Sequence, residues 1–599
     1  MVAVTKENFL VQSNDLIANI PNASYIAIDE EMTGISPPNA PRPPKDDTPA
    51  QRYLSLKTVP ERYSIIQFGV ALFMKRENDD GFDIKKYNFY LFPSGNGNSR
   101  EVTLNPSSIA FLKDNDMDFN TWTKEGITFC TSDQATEYIQ KYRKKVESIM
   151  EDPPIPKPSD PTTRSVELTR PDDINFHAGT MASLREWIDS ARTATEEGTS
   201  LILPPANSFL RRALYESIGK EYPSLTLEKH GSNQIRVLRM TADERKVRRQ
   251  RKLLEAWEWL MIEELGFWRV FSALSHANQG LLPIKSLAHS SSIDDVSIHD
   301  TILLKPIRKV PMVVHNGLMD LLFVLSHCHS YVLPETYMEC KGLISKYFPL
   351  VYDTKVMASE GVNRHDATVL SQLFTSAVPE EIAADFHFAE ESSQASAHEA
   401  SHDAFMTGAV FYGLCLSATH PEDGIYPWNY ADQNHQVYRE RYSLNKLYLM
   451  LTMYTIDLEN PTEDPLSRGM HIDTTYRVTG SDPSITTRDI VRCLTSLTSP
   501  FPNTRLHFEI VWVDDVTFLV AARNDGNTDR LMIHGAMIET ALRHRFPSSA
   551  IIGLKQYLES KQIRVEKIKK RKPWSIWKWL GFENDDGEED RPSKRRRTD

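Results

Sequence analysis

A chain of 599 residues is too long for one hydrophobic core and divides into roughly three or four units of about 150 residues, which excludes a single small binding module. Its 40% hydrophobic and 25% charged residues are a globular composition, and no run approaches the roughly 18 apolar residues needed to cross a bilayer. A net charge of -12 opposes nonspecific adhesion to nucleic acid, so any such ligand must be held by local basic patches.

Those patches are Arg245–Lys252, Lys567–Lys572 and Lys594–Arg597. The start of the chain lacks the apolar stretch of a signal peptide. Cys130, Cys328, Cys340, Cys415 and Cys493 are scattered without paired spacing, so neither a disulfide framework nor a structural zinc site is expected. A soluble protein of a reducing, intracellular compartment fits both features.

In chain order, the apolar run Tyr25–Ile28 predicts a first strand, and Arg62–Phe73 and Tyr87–Phe92 predict the next two. The proline-rich stretch 36–51 between the first two reads as an exposed loop, and 151–173 has the Pro and Ser content of a linker at a domain boundary. Beyond it, Asn207–Pro223 predicts a helix, Ser224–Met240 a hairpin and Thr241–Glu264 a long charged helix. Strand and helix alternation resumes near Lys309, with a buried strand Val310–Val314, a tight turn His315-Asn316-Gly317 and an apolar helix. A polar loop at 390–397 precedes a second apolar helix, and the region from Asn445 to about Glu559 reads strand, helix, two strands, helix, strand. The last pattern predicts a separate small α/β domain.

Asp29 and Glu31 stand two apart at the end of the first strand, so both carboxylates point to one face. Two such acids repel unless a cation lies between them, and a hard divalent ion with oxygen ligands is the usual resolution. Glu30 faces the other way by alternation. Asp320 falls on the first turn of the helix after the buried strand, where an open α/β sheet places ligands but where a carboxylate also simply caps the helix dipole. His398 and Asp403 are five apart, which on one helix separates them by about 140°, so the histidine precedes the helix in the loop. Each feature alone also has a structural reading: a strand end, a dipole cap, a solvated histidine.

Together, D-x-E, D and H-x-x-x-x-D in three successive α/β contexts resemble the DEDDh exonucleases of the ribonuclease H-like superfamily. IDEEMTGIS, RYSIIQFGVALF, SSIAFLKDNDMDFN, VVHNGLMDLLF, YFPLVYDTKVMAS and HEASHDAFMTG further resemble the poly(A)-specific ribonuclease family, over roughly residues 20–425 and more faintly to about 525. This resemblance implies an α/β ribonuclease H-like DEDD nuclease core in two parts (1–160 and 251–430), an inserted small α/β nucleic-acid-binding module (170–250), a C-terminal RRM-like domain (440–560) and a basic tail (561–599). The inserted module belongs to a class named for Arg-x-x-x-His; here Arg211 is followed four residues later by Tyr215, which leaves its nucleic-acid role open.

The resemblance also implies that Asp29, Glu31, Asp320 and Asp403 hold two Mg²⁺ ions, with Mn²⁺ able to substitute, and that His398 is the general base. Ile109 and Phe111 match side chains against the 3′-terminal nucleotides, Lys355 a lysine near the substrate backbone, and Trp512 a tryptophan that stacks on the mRNA cap. The implied activity is 3′-to-5′ shortening of RNA, most of all single-stranded poly(A) tails, with release of 5′-AMP. Trimming of small or noncoding RNA precursors is the alternative, and a catalytically silent RNA-binding protein the alternative of another class. A homodimer, no transmembrane segment and a nuclear or cytoplasmic location complete the expectation, the nuclear one resting on the terminal RPSKRRRTD.

Overall fold

The computed structural model describes residues 2–560 apart from 38–42, 46, 78, 80, 94–99, 151–165, 191–199, 284–303, 362–364, 366–367, 389–398, 419–423, 502–503 and 524–526. His398 and the two basic runs of the tail therefore lie outside the described residues. The chain forms two compact units, one of residues 1–43, 47–450 and 455–464, the other of 44–46, 451–454 and 465–599.

The first unit is built on a seven-stranded sheet. Its strands run Val2–Val4, Phe82–Tyr90, Ile65–Lys75, Tyr25–Met32, Met312–Val314 and Val351–Asp353, while Phe386–Phe388 also pairs with Phe82–Tyr90. Ile65–Lys75 runs antiparallel to both of its neighbours, Tyr25–Met32 and Phe82–Tyr90, and every other pairing is parallel. Sequence predicts the long antiparallel strands from their aromatic and β-branched residues; the three-residue edge strands are too short to show a period. One sheet face carries Tyr25, Ala27, Phe73, Phe82, Val313 and Tyr352, buried with Ala404, Phe411 and Cys415 of the helix Ala400–Ala418. On the other face Phe68 and Phe89 meet Phe267. A mixed sheet of this order, covered by helices on both faces, is the ribonuclease H-like architecture.

The proline-rich stretch was expected to stay irregular, yet its end enters a helix, Pro49–Leu56. Pro49 occupies the first helical turn, where a missing N–H is harmless, and Thr48 and Gln51 close a reciprocal capping box.

Within residues 166–240, the helices Pro171–Ser190 and Ser208–Glu221 cover a three-stranded sheet of Ser200–Ile202, Gln234–Leu238 and Thr226–His230. Its core includes Leu184, Leu214, Ile218 and Val237, with Tyr215 packed against it. Arg211 donates to the Ala206 carbonyl at 2.6 Å. The basic helix Ala242–Trp259 follows, started by a Thr241–Glu244 capping box, and ends in a π-helical turn, Leu260–Leu265.

The boundary expected at 440 falls instead at 465, because residues 445–450 and 455–464 belong to the first unit. Asn445 accepts the Val351 N–H at 2.9 Å and donates to the Pro349 carbonyl at 2.8 Å, which fixes this segment beside the last sheet strand. The ion pair Lys341–Asp464, 2.7 Å and nearly buried on both sides, closes it further along.

The second unit orders its elements as βαββαβ: Met470–Thr479, helix Thr487–Thr495, Phe508–Asp514, Thr517–Arg523, helix Thr528–Arg545, Ala550–Gly553. The antiparallel sheet places Phe508–Asp514 at one edge and Ala550–Gly553 at the other. Its core joins Val478, Phe518 and Val520 of the sheet to Ile490, Leu494, Ile538 and Leu542 of the helices.

Candidate active site

The strand Tyr25–Met32 brings the first two acids to the site. Its residues through Ile28 are buried apolar and β-favouring, and the register pairs Asp29 with Gly69 and Glu31 with Gln67 on the neighbouring strand. Both carboxylates emerge half-buried on the side covered by the helix Ala400–Ala418. That helix begins over Gly69, where a Cβ would lie 2.0 Å from the Ala400 carbonyl oxygen, so only glycine admits so close an approach. Gln67 accepts from the Ala400 N–H at 3.4 Å, and Asp403 lies in the helix's first turn.

Carboxylate oxygens of Asp29, Glu31 and Asp403 come within 4.8 Å of one another. The fourth acid, Asp320, lies outside that trio, but its charge still acts on Asp29 and Glu31. Burial first, then Asp320, Asp403 and Glu31, push the Asp29 carboxyl well above the carboxylate range. Burial likewise pushes Glu31 up to about 8, with Asp403 and Asp320 adding to it. Asp320 is raised to about 7, chiefly by burial, with its own backbone N–H acting against the rise. These acids are held together against desolvation and mutual repulsion, which is the donor set that a hard divalent cation fits.

Asp320 reaches the site through the turn after Met312–Val314. Asn316 adopts a left-handed φ of 57°, and a Cβ on Gly317 would clash with Val314 at 2.3 Å. The helix Leu318–Cys328 then starts with Asp320 in its first turn. Asp353, wholly buried, sets this geometry. One of its oxygens accepts the N–H groups of Asn316 (2.9 Å) and Lys355 (3.0 Å), and the other accepts that of Tyr448 (2.9 Å). Asp353 was not among the expected site residues, although its place in DTK, two residues before the singled-out lysine, was a signal. Glu30 alternates with Asp29 and Glu31 along the strand, but its environment was not foreseen: it is 5% exposed, and neither carboxylate oxygen has a hydrogen-bond partner among the described residues. Burial, then Asp320 and Asp29, hold this carboxyl well above its usual range.

The remaining candidates are spread more widely. Ile109 and Phe111 lie on the helix Pro106–Asp114, tied to the end of the Asp29 strand by the Asn105 N–H donating to the Thr33 carbonyl at 2.8 Å. Ile109 leans on the cluster of Ile66, Tyr90, Leu112 and Trp122, whereas Phe111 is 47% exposed. Lys355 places its ammonium 5.0 Å from the Tyr448 ring centre. Trp512 belongs to the second unit, where it is half-buried against Phe518 and its indole N–H donates to the Thr487 hydroxyl at 3.0 Å. His398, the expected general base, precedes the helix Ala400–Ala418 in the chain and lies outside the described residues.

The poly(A)-specific ribonuclease PARN of Bos taurus is 26% identical over 543 residues, covering 86% of this chain and 76% of the relative. The Homo sapiens protein of the same name is 26% identical over 540 residues, with 86% and 75% covered. The pre-piRNA 3′-exonuclease trimmer of Bombyx mori is 24% identical, with 59% and 57% covered. Among solved structures, Pop2p of S. pombe, in a form with Mg²⁺ and Mn²⁺ bound, aligns with 74% of this chain and 98% of its own at 12% identity and a TM-score of 0.32. The profile of the CAF1 family ribonucleases matches residues 4–411, which contain Asp29, Glu31, Asp320 and Asp403, and the chain therefore belongs to that family.

Proposed function

We propose that this ribonuclease is a metal-dependent 3′-to-5′ exonuclease that shortens poly(A) tails and releases 5′-AMP. The observation that carries the reading is the gathering of Asp29, Glu31 and Asp403 within 4.8 Å, with Asp320 raised beside them. Two Mg²⁺ ions, replaceable by Mn²⁺, supply an activated water and charge neutralisation at the leaving 3′ oxygen when such acids hold them. Asp29 and Glu31 offer oxygens from a rigid strand, and Asp320 and Asp403 offer theirs from the first turns of two helices, so the four donors need little reorganisation. His398 takes the proton of the attacking water, a role suited to an imidazole whose ordinary pKa lies near neutrality.

Phe111 presents an exposed ring on which a 3′-terminal base can stack without a sequence-specific code, and Ile109 braces the same helix from below. Lys355 serves the RNA backbone, and Trp512 serves a cap or another purine, with Thr487 fixing its ring. The basic run Lys594–Arg597 supports a nuclear as well as a cytoplasmic location, and the resemblance supports a homodimer. The likeness to the Bombyx trimmer favours a second reading, trimming of small-RNA precursors by the same site.

A gel time course separates the readings. Purified protein with Mg²⁺ is given 5′-labelled RNAs ending in either an adenosine or a uridine tract, with EDTA and Asp29→Ala controls. Stepwise loss of the adenosine tract alone, blocked by both controls, is the expected result. Equal shortening of both tracts supports the trimmer, and RNA binding without shortening would leave a binding protein and sink the enzyme reading.

A further inference from the structure

The helix Thr528–Arg545 has apolar residues on two sides. Leu531, Ile538 and Leu542 face the sheet and are buried, but Met532 and Ile533 are 46% and 42% exposed. A helix that only covers a sheet has a polar outer side. Here the outer side instead forms one wall of a groove of about 920 Å³, opposite the helix Thr487–Thr495. The groove is lined by Cys493, Leu497, Ile533, Ala536, Met537 and Ala541, with Arg492, His544 and Arg545 at its rim. Asp489, also at the rim, is engaged in the capping box with Thr486, and its carboxyl is held low first by that hydroxyl and then by the Thr486 N–H. The floor is apolar and the rim carries an excess of cations, so the fitting occupant is an apolar segment followed by acids.

The chain supplies such a segment. We propose that residues 574–582 of its own tail, Trp-Ser-Ile-Trp-Lys-Trp-Leu-Gly-Phe, dock in cis in this groove, with the acidic stretch 583–590 meeting Arg492 and Arg545. The stretch holds six acids, Glu583, Asp585, Asp586, Glu588, Glu589 and Asp590. The connection is long enough. The described chain leaves this unit at Ser560, and the 13 residues 561–573 reach about 45 Å when extended. A domain the size of residues 465–560 is about 32 Å across. Tethering also places the segment at an effective concentration on the order of millimolar, so a modest apolar contact suffices to keep it bound. Trp574, Trp577 and Trp579 have the large, stiff side chains that dominate such contacts.

Cys493 makes the proposal testable in the intact chain, because it is half-buried in the groove while the other four cysteines are buried. The rate of its alkylation by N-ethylmaleimide is followed by peptide mass spectrometry in the wild-type protein and in a Trp574→Ser, Trp577→Ser, Trp579→Ser variant. A docked tail slows the reaction, so the variant should label at least ten-fold faster; equal rates overturn the proposal. A second variant, Ile533→Glu, changes an exposed groove residue and leaves the core residues in place. It should speed tryptic cleavage at Lys578 by a similar factor while the unit's melting temperature stays the same, and unchanged cleavage also overturns the proposal. Protection of Cys493 that disappears on dilution assigns the groove to the tail of a second copy and rejects docking in cis.

Discussion

Asp29 shares a small volume with Glu31 and Asp403, and without a cation its ionised form is opposed by burial and by three neighbouring acids. Removing its charge should therefore stabilise the metal-free protein and abolish its chemistry. Asp29→Asn is expected to raise the melting temperature in EDTA, at about 1 °C per kcal/mol relieved in a unit of this size, and to lose the further rise that Mg²⁺ gives the wild type. Activity should fall by at least about 10³-fold, as expected when a preorganised charge-stabilising group is removed. Differential scanning fluorimetry with and without Mg²⁺ reads the first effect, and single-turnover RNA shortening the second. Glu30 tests a different point. Its carboxyl is buried with no hydrogen-bond partner among the described residues, a condition that costs about 1–3 kcal/mol. Glu30→Met, apolar and of similar length, should raise the urea midpoint without abolishing RNA shortening; a lower midpoint would mean that this acid has a stabilising partner. Strand alternation was enough to separate Glu30 from Asp29 and Glu31 in the sequence. Alternation names a face, however, and not what covers it, so the burial of Glu30 against the opposite layer was not legible.

The elements position the acids through close contacts of backbone with backbone. The helix Ala400–Ala418 carries Asp403, and its first residue lies over Gly69, where a methyl group would fall 2.0 Å from the Ala400 carbonyl oxygen. Gly69→Ala thus has to push the helix end away from the strand that bears Asp29. The expected cost is about 1–3 kcal/mol of stability, read in urea unfolding. A larger effect is expected in kcat than in KM, on the order of 10²-fold, because a displacement of about 1 Å at Asp403 spoils geometry at the reacting centre. Equal losses in both constants would show that the helix end moves without disturbing the acids. At this scale Asp320 and Asp403 were legible because turn and helix-start signals flank them in the sequence. The role of Asp353 was not, because only its cap on the Lys355 N–H is local, and no sequence pattern relates it to the N–H groups of residues 316 and 448. The same long-range tie explains the domain boundary. Residues 445–450 and 455–464 look like the start of the next unit from their strand pattern, but Asn445 and Asp464 bind them to the first.

For the whole molecule, two units with separate cores should give separate unfolding transitions in calorimetry, and only the first should respond to Mg²⁺, since all four acids lie there. That transition also has a pH dependence whose sign the metal should invert. Glu31, raised to about 8, and Asp320, raised to about 7, bind protons more tightly in the folded chain than in the unfolded one. Their contribution is fully present below the unfolded carboxylate range near 4 and is lost as pH rises through about 7 to 8, so metal-free protein should melt higher as pH falls from 8 towards 6. His315 acts in the opposite sense. Burial, with Lys355 adding, lowers it to about 4, and its ring accepts or donates a 2.8 Å hydrogen bond with the Thr354 hydroxyl. A base depressed in this way stabilises the fold above its unfolded pKa of about 6.5, and the contribution drains away between 6.5 and about 4, a loss of about 2 kcal/mol by pH 5. His327 has the same sign. It is buried, accepts the Ile65 N–H at 3.2 Å on Nε2, and so donates through Nδ1 to the Phe323 carbonyl at 2.8 Å, a tautomer with no room for a second proton. With Mg²⁺ present the four acids stay ionised at every pH in this range, which leaves the histidines, opposed by Glu30 and Asp353, to set the slope. The first transition should then fall between pH 7 and pH 5 in Mg²⁺ and rise over pH 8 to 6 in EDTA. The same slope under both conditions would mean that Mg²⁺ is not held by these acids.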